Sequence, residues 1–247
     1  MLDRTISRAA LRLMVACTLL PACFGQEDQR PLPRFGLAAS VGTLGAGIQA
    51  GTAVARHTNL RFGFNYFTLG LSGTESTSNL KYDATLRLGS AEVLLDQNLK
   101  GPFHVSAGAL VYDAFQGSGS VQVAGGQTIT LNHVTYFSSV SDPVTGTAAI
   151  GARKVAPEVL IGFGNLLPRS ARHFSANFDL GVAFQGSPSS RLNLLGSTCN
   201  APGAGCLPIA SNSSVQANIA AQQAIINNDL KPFQFYPVIR LSFGYKF

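Results

Sequence analysis

Chemistry in this 247-residue chain has to come from few side chains, because 12% of its residues are charged and only four are histidine. His57, His104, His133 and His173 lie far apart, with no H-E-x-x-H pair for a metal and no G-x-S-x-G elbow for a nucleophile. His133, in a long polar link, is the one base a lipid hydrolase or acyltransferase would have. Gly45-Ala46-Gly47-Ile48-Gln49-Ala50 spells G-x-G-x-x-A, a dinucleotide-loop pattern. No βαβ rhythm follows it, so it reads as a glycine-rich strand. No enzyme activity, cofactor or metal is expected. Two cysteines remain beyond the N-terminal region, Cys199 and Cys206; with no histidine nearby they predict a local disulfide.

The seven charged residues Arg61, Lys81, Asp83, Arg87, Glu158, Asp179 and Arg240 have a common setting. Each falls on the polar phase of a segment that alternates polar and apolar residues. Enclosed together, such ions must pair or stay hydrated. That predicts either a salt-bridged, filled interior or a narrow polar path for small solutes. The net charge of +6 is spread singly along the chain, without the clustered patch that nucleic-acid binding needs.

These residues need elements to position them. Arg4, Arg8 and Arg12 precede an apolar run over 13–20 and small residues at Ala22 and Gly25, the pattern of a secretory signal peptide over 1–25. Leu20-Pro21-Ala22-Cys23 loosely resembles a lipobox, with Pro21 fitting poorly. A polar stretch over 26–34 reads as a periplasmic lead-in. No later run reaches the length of a membrane-spanning helix.

From Phe35 onward the dominant signal is period-two alternation. The clearest case is the last segment, where Ile239, Leu241, Phe243, Tyr245 and Phe247 share one face and Arg240, Ser242 and Lys246 the other. The alternation predicts eight strands, at about 35–43, 45–55, 60–70, 79–98, 103–116, 154–164, 173–186 and 232–247. It slips near Ser90 to Glu92, where a β-bulge is expected, and Asp113 falls on an apolar phase. Short links follow strands two, four and six, and long ones follow strands five and seven. This parity predicts an all-β, antiparallel up-and-down transmembrane β-barrel over 35–247, with two long extracellular loops. Within the second, Val215, Ile219, Ile226 and Leu230 have helical spacing, which fits a short helix over the barrel mouth or a partly ordered loop.

The C-terminal run Tyr236-Pro-Val-Ile-Arg-Leu-Ser-Phe-Gly-Tyr-Lys-Phe247 resembles the terminal β-signal of bacterial outer-membrane proteins, and the strand pattern resembles small eight-stranded barrels of the OmpA-like and OmpW-like type. The resemblance implies residence in the outer-membrane lipid bilayer and assembly with the barrel-assembly machinery and periplasmic chaperones. It implies a structural or surface-interaction role in envelope integrity, adhesion or display to an extracellular ligand. Porin-like passage of small solutes is the alternative, and a lipid-modifying enzyme a lesser one.

Overall fold

The computed structural model describes residues 34–75, 80–168 and 173–247. The signal peptide expected over 1–25, and all of the lead-in but Arg34, lie outside them.

Alternating residues build a closed barrel. Its strands are β1 (Phe35–Gly42), β2 (Gly45–Ala55), β3 (Thr58–Glu75), β4 (Leu80–Asn98), β5 (Phe103–Val123), β9 (Val155–Gly164), β10 (Phe174–Phe184) and β14 (Phe235–Lys246). Neighbours in space are neighbours along the barrel, all antiparallel, and β1 closes the wall on β14 while β5 pairs with β9. The wall presents large apolar side chains outward: Phe64, Phe163 and Phe243 are 53%, 54% and 60% exposed. A water-soluble surface rarely carries a contiguous apolar band of this extent. On a barrel of eight strands such a band has the pattern of a lipid-facing girdle.

The inner face is narrow and built around glycine. A Cβ at Gly63 would strike the Glu92 carboxylate, and one at Gly162 would strike the His104 ring and Asp179. Gly45 and Gly47 of the G-x-G-x-x-A run belong to β2 and lie against β3 backbone, so this motif is wall and not a nucleotide loop.

At the end with the long links the wall continues. Past Val111 the strand β5 leaves β9 and takes up β8 (Thr145–Gly151), which pairs with β11 (Ser189–Leu195). A second sheet of β6 (Thr128–Leu131), β7 (Val134–Ser138), β12 (Ser197–Ala201) and β13 (Ala204–Pro208) stands beside it, with the Cys199–Cys206 disulfide joining β12 to β13. The helix α1 (Ser213–Asp229) starts at Asn212, whose side chain accepts from the Val215 N–H. Val123, Leu131, Tyr136, Val144, Ile209, Val215 and Ile219 form the core of this cap. Both long links therefore fold into one ordered body.

Its helix lies along a sheet edge. Asn227 Oδ1 accepts from the Ser190 N–H at 2.7 Å, and Gln223 Oε1 accepts from the Leu192 N–H at 3.1 Å. One helical turn, about 5.4 Å, nearly matches two strand residues, about 6.6 Å. Amide side chains four apart thus supply the partners that the edge strand β11 would otherwise lack.

The sequence reading errs on β4. It places Lys81, Asp83 and Arg87 inside the barrel, whereas all three are exposed on the outward face. The β3–β4 register runs unbroken from Thr58↔Gln97 to Glu75↔Leu80, so odd residues of β4 keep one face throughout. That face is polar at 81–87 and apolar at Val93 and Leu95. The surrounding medium changes along the strand; the phase does not. The bulge lies in β5: Gly89 faces Ala114 and Ser90 faces Tyr112, so the pairing skips Asp113.

Candidate functional site

The inward residues of β3, β4, β5, β10 and β14 meet in a buried ionic cluster. Arg61, fully buried, donates from Nη1 to Asp179 Oδ2 at 2.6 Å and from Nη2 to Asp96 Oδ1 at 3.0 Å. Asp96 also accepts from the Ser106 hydroxyl at 2.6 Å. Asp179 accepts twice from the Asn177 amide at 3.1 Å and lies 2.9 Å from His104 Nε2. Arg240 pairs with Glu92, and its Nη1 stands 3.8 Å from Asp179. Gln49 Nε2 donates to Glu92 at 3.4 Å. One continuous network thus links five strands of the wall and β2.

Beside this network the lumen holds an apolar cluster. Leu94, Leu110, Leu160, Ala156, Ala183 and Val238 form one cluster with Tyr112 and with Leu44 from the β1–β2 turn. Leu160, an apolar exception on an otherwise polar phase, belongs here. At the opposite end Leu166 and Leu167 of the β9–β10 link fold under the barrel beside Gly36, Gly51 and Gly244. Side chains of the wall and its turns therefore close the lumen at both ends. The helix expected as a cover over the mouth instead flanks β11 and β6.

Of the seven charged residues singled out from the sequence, Arg61, Asp179 and Arg240 come together here. Glu158 is also buried and inward, but neither of its oxygens has a hydrogen-bond partner among the described residues. Lys81, Asp83 and Arg87 take no part. The sequence reading missed Glu92 and Asp96, although placing Val93 and Leu95 outward assigns their neighbours inward by alternation.

The histidines offer no free base within the barrel. His104 is engaged at both ring nitrogens, by Asp179 and by the Gly164 carbonyl at 3.1 Å. His173 stacks on Tyr245, and its Nδ1 lies 3.0 Å from the Lys246 carbonyl. His133 sits exposed at positive φ in the Asn132-His133 turn between β6 and β7. Among the described residues no group of three or more His, Cys, Asp or Glu side chains is arranged to hold a metal.

No family model matches the chain, and no curated protein matches it. Among solved structures it is similar to the crystal structures of Acinetobacter baumannii CarO2 and CarO, with TM-scores of 0.54 and 0.52. Each comparison covers 89% of this chain and 100% of the other, at 18% identity. At that identity the likeness is one of architecture: the chain has the eight-stranded, antiparallel up-and-down barrel fold of these two structures.

Proposed function

We propose that the chain is a bacterial outer-membrane barrel that anchors an ordered, outward-facing cap and does not conduct at rest. Its role is structural or surface-interactive, in envelope integrity, adhesion or ligand display. The filled lumen carries this reading: the Arg61–Asp179–Arg240–Glu92 network and the Leu94–Leu110–Leu160 cluster leave the interior occupied by side chains. An eight-stranded barrel is just wide enough for such filling. The girdle of exposed Phe and Leu residues supports the membrane setting, and the short turns at one end support a periplasmic location for that end.

Ile239, Leu241, Phe243 and Tyr245 lie on the outward face of the closing strand, β14, and Phe247, also exposed, follows directly after it. In this reading they are what the barrel-assembly machinery and the periplasmic chaperones grip before closure.

Planar-bilayer recording of refolded protein tests the proposal. The expected result is no steady conductance at any applied voltage, and steady single-channel currents would overturn it. A gated, narrow passage is the second reading, favoured by the unpartnered lumen atoms of Glu158, Gln49 and Asn65. Brief, voltage-triggered openings would select it.

A further inference from the structure

The outward face of β3, β4, β5, β8 and β11 changes character in steps. Lowest are Phe62, Phe64, Val93 and Leu95, exposed and apolar. Four residues along β4 from Ala91, the partner of Phe64, and about 13 Å away at strand rise, comes Arg87, opposite Thr68. Arg191 of β11 stands beside Ala149 one row higher, and both guanidinium-bearing residues are exposed.

Above them two polar rows cross four strands in register. Ser72, Asp83, Ser120 and Thr147 form the lower row. Thr74, Lys81, Gln122 and Thr145 form the upper. The row between is Gly73, Tyr82, Val121 and Gly146. By strand alternation these four point to the opposite face, where Tyr82 lies over Gly73 and Val121 over Gly146, so backbone alone floors the strip between the two polar rows. The result is a trough of about 620 Å³ whose lining comes from these rows. Its walls are about 7 Å apart, and its outer strands are separated by about 14 Å.

The walls select a chemistry. Six of the eight wall residues are uncharged hydroxyls or an amide, and Lys81 and Asp83 offset one another. A charged polymer gains no net attraction there, while a chain of hydroxyls finds donors and acceptors along the whole length. The order on this one face, apolar, then guanidinium, then hydroxyl-rich, is also the order of acyl chain, phosphate and sugar in a glycolipid standing upright beside the barrel.

We infer that the trough receives the sugar chain of an outer-leaflet glycolipid, with Arg87 and Arg191 meeting its headgroup phosphates. The inference rests on the outer-membrane reading above, with the cap facing outward. The test uses the full chain, refolded in detergent micelles and titrated with two probes: lipopolysaccharide carrying its complete core sugars, and lipid A alone. The wild type is expected to prefer the sugar-bearing form by about ten-fold, equivalent to about 1.4 kcal/mol. Ser120→Leu/Thr147→Leu, on an exposed face, should abolish that preference, and Thr128→Leu on β6 should leave it intact. Arg87→Gln/Arg191→Gln should weaken both probes alike. Equal affinity in the wild type, or a preference that survives the two leucines, overturns the proposal. Heat-modifiable gel migration of the same samples reports folding of the barrel, so its failure counts against the membrane reading and is distinguishable from failure of the trough.

Discussion

Removing the Arg61 guanidinium is the sharpest perturbation the lumen offers. In Arg61→Met the side chain keeps similar length and loses all its donors. Asp96 then has the Ser106 hydroxyl at 2.6 Å as its remaining bonded partner in the network. Asp179 fares better, because His104, Asn177 and Arg240 still face it. The cost thus falls mainly on Asp96, a carboxylate 5% exposed. Breaking a buried ion pair from one side typically costs about 3–5 kcal/mol. With a urea dependence of about 1–3 kcal/mol per molar, the unfolding midpoint should fall by more than about 1 M. The assay is equilibrium unfolding in lipid vesicles, followed by heat-modifiable migration and by tyrosine fluorescence, since the chain has no tryptophan. Asp96→Asn supplies the decisive comparison. Alone it weakens the pair and destabilises; in the Arg61→Met background it removes the stranded charge and restores stability. Additive effects of the two substitutions would refute the reasoning, because additivity means the residues do not interact.

Three further outcomes are expected. Glu158→Met should stabilise the barrel by about 1–3 kcal/mol, the cost of a buried polar group left without a partner, read as a rise in urea midpoint; a fall would mean that the carboxylate is bonded in the folded protein. Gly63→Ala should destabilise by about 1–3 kcal/mol through overpacking against Glu92, and Glu92→Ala in the same chain should relieve part of it. Asn227→Leu leaves the Ser190 N–H without its acceptor, at about 1–3 kcal/mol, so hydrogen exchange at Ser190 and Leu192 should quicken while exchange in β1 and β14 stays unchanged.

Much of the barrel was legible because membrane strands must alternate. In the proposed membrane setting outward residues meet lipid and inward ones a filled interior, and β1, β2, β9 and β14 fall where period two places them. The first error came where that rule loses force. Residues 81–84 of β4 are exposed on both faces, so Leu86 and Tyr82 no longer mark the outside, and the sequence pattern slips at Ser90. The ionic partners were half visible. Arg61, Asp179 and Arg240 stand out as lone charges in apolar segments, but which carboxylate meets which guanidinium depends on the stagger of the whole wall. The cap was least readable. Its strands are four to seven residues long, and the rungs from Gln223 and Asn227 to β11 depend on a helix meeting a strand distant in sequence. The Cys199–Cys206 pair was the exception, because its short spacing sets the bond locally.

β5, 21 residues long, pairs with β9 along its first half and with β8 along its second, and this has a mechanical consequence. No tether joins barrel and cap through this strand; one backbone runs from the turn end of the wall to Val123. A pull on the cap along that axis loads the β4–β5 ladder lengthwise, so its rungs resist together instead of opening one after another like a zip. The cap should therefore hold a set angle to the membrane plane and bear drag from outside without peeling away.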